Sequence, residues 1–213
     1  TLPFNDVVAL ENAIDDSVAA IMLELIQGEG GVNAVTDEFA QAIQKICDEK
    51  GILLIVDEVQ TGIGRTGTRF AYEQTVLKPH IVSMAKGLGG GFPIGGILGV
   101  AELFNTFNAG THGTTFGGNP LAVAVAQTVV DIVFEPSFLA NVQQMSAYFI
   151  EQLQTHLPSS FSVQGKGLML GLYCGGEDVA PVVSKLDEAG LLTVAAGPKV
   201  IRLLPPLTVS KEE

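Results

Sequence analysis

The sequence predicts an α/β fold, with a mostly parallel sheet and flanking helices, followed by a smaller α+β domain. Three observations predict it: short apolar runs of strand length, amphipathic helices between them, and a change of pattern beyond residue 135. The chain has 213 residues, of which 47% are hydrophobic. That composition is enough to bury a sizeable core, in one large domain or two smaller ones.

The first elements form a strand–helix–strand unit. Residues 18–26 and 52–56 are short runs rich in Ile, Leu and Val, a pattern typical of strands buried on both faces. Residues 36–51 between them predict a helix, because Thr36 suits its N-cap, Gly51 suits its end, and its apolar residues share one face. The unit is therefore a crossover between neighbouring strands.

Further elements follow along the chain. Residues 81–85 and 94–100 predict two more strands, and Pro120 suits the first position of a helix. Beyond residue 135, the sequence predicts a helix over 137–157, strands over 161–174 and a second helix over 177–190. Two paired strands follow over 191–197 and 199–207. We therefore expect a large domain over 1–135 and a small, truncated domain over 136–213.

Charge and cysteine content exclude several classes of protein. Twenty-three acidic residues against 11 basic residues give a formal charge of −12, which argues against nucleic acid or acidic membranes as partners. Cys47 and Cys174 have no metal-ligand spacing, so no metal is expected, and a reducing, cytoplasmic location is favoured. The longest apolar runs are too short to cross a bilayer.

Two charged residues directly follow predicted strands. Asp57 comes after the run 52–56, and Lys86 comes after the run 81–85. In a parallel sheet, residues just beyond the carboxyl ends of the strands line the crevice where ligands bind. The sequence therefore predicts that the carboxylate of Asp57 and the amine of Lys86 project into one crevice. It also predicts that the amine is shielded from water. A structural ion pair at the edge of the sheet is the alternative.

Five segments of the chain, in order, resemble the class III pyridoxal-phosphate aminotransferases, the subgroup-II enzymes of fold type I. Two of them contain the charged residues: VDEVQTGIGRTG (56–67) and SMAKGLGGGFPIGG (83–96). The others are ELIQGEGGV (24–32), GTHGTTFGGNPLA (110–122) and VIRLLPPL (200–207). The resemblance covers essentially the whole chain and is strongest to members that act on acylated ornithine.

The resemblance implies a binding site for pyridoxal 5'-phosphate in the large domain. Lys86 is expected to form the Schiff base with the cofactor aldehyde and to act as the catalytic base. Asp57 is expected to pair with the pyridine nitrogen and keep the ring protonated. Gln60 is expected to reach the phenolic oxygen, and Val59 to pack on the ring. Glu58 belongs to the same binding segment without a chemical role of its own.

The remaining site residues are also implied by the resemblance. Thr115 matches a threonine that donates to the cofactor phosphate from the neighbouring subunit, which implies a homodimer with a shared active site. Thr114 is expected beside the substrate. Glu29 and Arg202 match a pair in which the glutamate masks the arginine for one substrate and frees it to clamp a carboxylate of the second. For the two threonines, the alternative is that the segment is only a tight loop before Pro120. For Glu29 and Arg202, the alternative is a plain salt bridge between domains.

The implied activity is transfer of an amino group from an N-acylated ornithine to 2-oxoglutarate, in arginine metabolism. Enzymes that act on ornithine, succinylornithine, 4-aminobutyrate and diamines share these segments and stay open as alternatives. So do a mutase or decarboxylase on the same scaffold, and a non-catalytic domain kept for dimerisation. The family's amino-terminal half has no counterpart here, so we expect a fragment that is inactive alone.

Overall fold

The computed structural model describes residues 1–176 and 178–213; Glu177, which the predicted helix 177–190 includes, lies outside them. The chain divides into two compact units. The first comprises Thr1–Leu25, Val35–Ile63 and Phe70–Val133, and the second comprises Ile26–Ala34, Gly64–Arg69 and Phe134–Glu213.

The break after Val133 lies next to the predicted boundary at residue 135, but two earlier segments belong to the second unit. Residues 26–34 and 64–69, which the prediction assigned to the large domain, make long-range hydrogen bonds within the second unit. One example is the bond from Leu168 N to Arg65 O, at 3.0 Å. Such long-range bonds leave no local signal in the sequence. The cofactor-binding role of 1–135 stays a prediction.

The helices are α1 Val7–Ala13, α2 Asp37–Lys50, α3 Pro120–Val133, α4 Pro136–His156 and α5 Ala180–Glu188. The strands are β1 Ala20–Glu24, β2 Ile26–Gln27, β3 Asn33–Ala34, β4 Leu53–Asp57, β5 Ile81–Met84, β6 Gly96–Gly99, β7 Phe161–Lys166, β8 Met169–Cys174, β9 Val194–Ala195 and β10 Val200–Leu203. Short 3-10 helices cover Ala71–Gln74, Lys86–Gly89 and Ala101–Thr106.

The first unit is built on a four-stranded sheet in the order β1-β4-β5-β6. β1, β4 and β5 are parallel, and β6 runs antiparallel to β5. The prediction that the 18–26 run is buried on both faces is wrong, because β1 lies at the edge of the sheet and Met22 is 61% exposed. The mostly parallel α/β sheet itself is confirmed.

Helix α2 forms as its sequence predicts. The Thr36 hydroxyl accepts a hydrogen bond from Phe39 N at 3.2 Å, and the helix ends at Gly51, which has a φ of 65°. Its apolar face, with Phe39, Ile43 and Cys47, is buried in the core of the first unit together with β4. Cys47 therefore lies in the core.

The second unit contains an antiparallel sheet in the order β7-β8-β10-β9 and the separate β2–β3 pair. β8 is buried along most of its length, and helix α4 packs on the same unit through Val142 and Met145. Arg65 lies in this unit, where its Nη1 donates to Leu168 O at 3.0 Å and to Pro205 O at 2.6 Å. Burial lowers the pKa of Arg65 to about 10, so it stays charged at neutral pH.

No single helix among the described residues is long and apolar enough to cross a membrane; α3 and α4 meet the length and composition criteria only as a broken pair. Cys47 and Cys174 are both buried free thiols. Across 1–176 and 178–213, no group of three or more His, Cys, Asp or Glu residues could hold a metal ion.

Candidate active site

Asp57 is held in one orientation at the carboxyl end of β4. Its Oδ1 accepts a hydrogen bond from Val59 N at 2.9 Å and another from the Ser83 hydroxyl at 3.1 Å. Ser83 is the partner of Asp57 in the β4–β5 pairing. With both bonds on one oxygen, Oδ2 is the atom that can accept a proton donor from a ligand.

Lys86 lies two residues after the end of β5, at the same end of the sheet as Asp57. It opens the 3-10 turn Lys86–Gly89 with a φ of 42°, an unusual conformation for a residue that carries a side chain. The expected strand-end placement is confirmed. The expected withdrawal from water is wrong for this chain, because Lys86 is exposed. No ion pair joins Lys86 to Asp57 in the part of the chain described.

The glycines after the lysine allow close backbone packing. Gly90 and Gly91 have φ values of 54° and 109°, in the region that favours glycine. A Cβ at Gly90 would lie 3.0 Å from Val129 Cγ2 on α3. The lysine turn therefore packs tightly against that helix, which limits where the Lys86 backbone can sit.

Glu58 is turned into its own loop and is fully buried. Its carboxylate accepts hydrogen bonds from the Thr61 hydroxyl, from Tyr72 N at 2.9 Å and from Ala71 N. Burial raises the pKa of Glu58 above its ordinary value, although these hydrogen bonds oppose the shift. Because the carboxylate is used inside the protein, only the Glu58 backbone is left for the predicted contact with a cofactor.

Val59 and Gln60 lie half-buried beside Asp57, in the first unit. Thr114 and Thr115 lie in the exposed segment before α3, where Asn119 Oδ1 caps the helix by accepting from Ala122 N at 2.9 Å. The cofactor and substrate roles of these four residues stay predictions.

Glu29 and Arg202 form the predicted pair. Arg202 Nη1 donates to Glu29 Oε1 at 2.7 Å. The exposure of the two side chains differs sharply: 10% for Arg202 and 74% for Glu29. Both residues belong to the second unit, so the alternative of a bridge between the predicted domains 1–135 and 136–213 does not match the observed units.

Ser83 is the one residue of the aspartate environment that the sequence reasoning missed. Its position was readable in principle, because Asp57 ends one predicted strand and Ser83 lies three residues before Lys86 in the next. In a parallel pair those positions come opposite each other. Gln164, whose contacts are described below, had no comparable local signal.

Comparison with known proteins agrees with this arrangement. Residues 3–213 match the family model described as Aminotransferase class-III. The chain belongs to the class III aminotransferase family. It is 52% identical over 215 aligned residues to the acetylornithine aminotransferase of Bacillus subtilis, covering 100% of this chain and 56% of that protein. It is 50% identical to the enzyme of the same name from Bacillus cereus, covering 55% of it.

Solved structures of this family show the same fold. The N-acetylornithine aminotransferase of Stenotrophomonas maltophilia matches with a TM-score of 0.86 and 39% identity, over 99% of this chain and 57% of that one. The ornithine aminotransferase of Toxoplasma gondii matches with a TM-score of 0.92 and 36% identity, over 100% of this chain and 52% of that one. The chain thus spans little more than half the length of these class III relatives.

Class III aminotransferases use pyridoxal phosphate, and the residues of the first unit fit that group. The Asp57 carboxylate is fixed by two donors and keeps one oxygen for a pyridinium N–H. Lys86 presents an exposed amine after the adjacent strand. An amine for the aldehyde and a partner for the ring nitrogen are two of the groups by which proteins hold and tune this cofactor.

Proposed function

We propose that the protein acts as a pyridoxal-phosphate-dependent aminotransferase, which transfers the amino group of N-acetylornithine or a similar ω-amino donor to 2-oxoglutarate. The observation that carries the proposal is the position of Asp57 and Lys86 at the ends of paired parallel strands. The 52% identity to the acetylornithine aminotransferase of Bacillus subtilis, over the whole of this chain, supports the choice of donor.

The predicted cofactor-binding residues of the first unit each have a role in this proposal. When bound, pyridoxal phosphate supplies an electron sink for the bond that breaks at the substrate Cα. Asp57 Oδ2 holds the pyridine nitrogen in its protonated form, and Ser83 and Val59 N keep the carboxylate aimed. Lys86 Nζ would hold the cofactor, take the proton from Cα of the amino donor, and in the second half of the reaction deliver a proton to Cα of the amino acid formed from 2-oxoglutarate. Gln60 binds the phenolic oxygen, and Thr115 binds the phosphate.

Glu29 and Arg202 allow one active site to accept two different substrates in turn. Arg202 is almost completely buried, while its partner carboxylate is mostly in water. Because the Glu29 carboxylate is mostly in water, a substrate carboxylate can take its place on Arg202 while the arginine keeps a charged partner. We propose that Glu29 covers Arg202 for the ω-amino donor and leaves it free for the second carboxylate of 2-oxoglutarate. Thr114 lies beside the substrate.

The proposal includes a cytoplasmic homodimer in which Thr115 acts on the partner's cofactor. Two buried free thiols suit a reducing compartment. The exposed aromatic Phe116, 80% accessible and next to Thr115, suits a segment that is covered on assembly. Sedimentation velocity of the wild-type holoenzyme and of Thr115→Ala tests this. We expect Thr115→Ala to remain a dimer, because its hydroxyl serves phosphate binding and not assembly.

The function is tested with the product of the natural gene, loaded with pyridoxal phosphate. N-acetylornithine, ornithine, succinylornithine and 4-aminobutyrate are each supplied with 2-oxoglutarate, and glutamate formation is followed. The proposal predicts that N-acetylornithine has the highest kcat/KM. A preference for ornithine would place the protein with the ornithine aminotransferases, which its structure also resembles. Absence of glutamate with all four donors would overturn the proposal.

A further inference from the structure

The sheet of the second unit places three residues in one row beneath the loop that carries Glu29. Gln164 on β7 lies opposite Gly171 on β8, and Gly171 lies opposite Arg202 on β10. Residues opposite each other on neighbouring strands present their side chains to the same face. Gln164 and Arg202 therefore flank Gly171, which leaves a gap on that face.

One end of the row holds the backbone of the Glu29 loop. Gln164 Nε2 donates to Gly31 O and lies 3.5 Å from Asn33 Oδ1. Asn33 Nδ2 donates to Gly30 O at 2.7 Å. Two side-chain amides thus bind consecutive carbonyls just after Glu29, which fixes the course of the backbone there.

The middle of the row receives Val32. Val32 is fully buried, and its φ of 55° is a genuine outlier for a β-branched residue. A Cβ at Gly171 would lie 2.8 Å from Val32 Cβ, so the missing side chain of Gly171 makes the room that Val32 fills. Strain of this kind persists only where the surroundings hold the residue firmly, and it concentrates at functional sites.

The other end of the row is Arg202, bound to Glu29. The backbone of the loop is therefore held by Gln164, Asn33 and Val32, whereas the Glu29 side chain is 74% exposed. The Glu29 side chain is therefore the exposed part of this loop, and the contact described for it is the one with Arg202.

We propose that Gln164, Asn33 and Val32 are positioning residues that hold the loop so that Glu29 masks Arg202, and uncovers it, by side-chain rotation alone. The inference rests on the proposed function of the Glu29–Arg202 pair. When Gln164 or Asn33 is removed, the loop loosens and the masked state loses population. A ligand with two carboxylates then binds more tightly, because less of the protein is in the state that excludes it.

The test uses glutarate, a dicarboxylate without a reactive amino or oxo group, and the holoenzyme from the natural gene. Calorimetry gives its Kd for the wild type, Gln164→Met, Glu29→Gln and the double variant. Gln154→Met, an exposed glutamine on α4, is the matched control. Gln164→Met and Glu29→Gln each lower the Kd by about two- to fivefold. The double variant shows no further decrease, because both changes act through one carboxylate.

If Gln164 had a merely structural role, its replacement would weaken glutarate binding. Tighter binding therefore distinguishes a positioning role from a structural one. An unchanged or weaker Kd for Gln164→Met, full additivity in the double variant, or no glutarate binding to any variant overturns the inference. If Gln164→Met does not fold, Asn33→Ser removes the other side-chain bond to the loop at an exposed position, with the same expected direction. Transamination assayed in the same preparation tests the proposed function separately, since glutarate binding does not require turnover.

Discussion

Ser83 lies opposite Asp57 across the β4–β5 pairing and donates its hydroxyl to Asp57 Oδ1 over 3.1 Å. Val59 N donates to the same oxygen over 2.9 Å. The carboxylate at the end of β4 is therefore fixed by one donor from its own loop and one from the next strand. This arrangement aims Oδ2 before any ligand arrives, which lowers the cost of ordering the site when the cofactor binds.

Ser83→Ala should weaken the binding of pyridoxal phosphate. It removes one of the two donors that orient Asp57, and a hydrogen bond of this kind contributes about 1 kcal/mol. We expect the Kd of the cofactor to rise by about three- to tenfold, measured by equilibrium dialysis of the holoenzyme. Ser162→Ala, on the exposed part of β7, is the control and should leave the Kd unchanged. Equal Kd values for both variants would contradict the account of Asp57.

Glu58→Gln should change how stability depends on pH. Burial raises the pKa of Glu58 above its ordinary 4.5, so its contribution to stability is full below that value and is lost as pH rises through the folded pKa. An amide in its place does not titrate. The free energy of unfolding of the wild type, relative to Glu58→Gln, should therefore fall as the pH rises from about 4.5 towards neutrality. Urea unfolding of both proteins at several pH values measures this difference in free energy. A difference that grows in favour of the wild type as the pH rises would contradict the prediction.

Arg65→Met should destabilise the second unit. The half-buried guanidinium donates to Leu168 O and Pro205 O, and methionine leaves both carbonyls without that donor. We expect the free energy of unfolding to fall by about 1–3 kcal/mol, with Arg65→Lys restoring part of the loss. Lys185→Met on α5 is an exposed control that should change it by less than about 0.5 kcal/mol. Equal losses in Arg65→Met and Lys185→Met would remove the structural role given to Arg65.

Features set by neighbouring residues were predictable from the sequence. The N-cap at Thr36, the end of α2 at Gly51 and the buried face with Cys47 all depend on contacts within a few residues. The strand-end positions of Asp57 and Lys86 were predictable for the same reason, because each follows an apolar run directly. Helix α1 was missed, although Asp6 caps it by accepting from Ala9 N at 2.8 Å.

Features set by distant residues were not predictable. An apolar run does not reveal whether a strand lies at the edge of a sheet, so the exposure of Met22 on β1 was missed. Exposure of Lys86 depends likewise on what packs over it. Residues 26–34 join the second unit through bonds such as that from Gln164 to Gly31 O, which spans 133 positions. The strained φ of Val32 becomes visible only beside Gly171.

The visible absorption spectrum with pyridoxal phosphate tests the central claim, that Lys86 holds the cofactor opposite Asp57, most directly. It is recorded for the natural gene product, Lys86→Ala and the exposed control Lys78→Ala. We expect the wild type and Lys78→Ala to show a band near roughly 410–430 nm that borohydride removes, and Lys86→Ala to lack it. The same band in Lys86→Ala, or none in the wild type, would contradict the account.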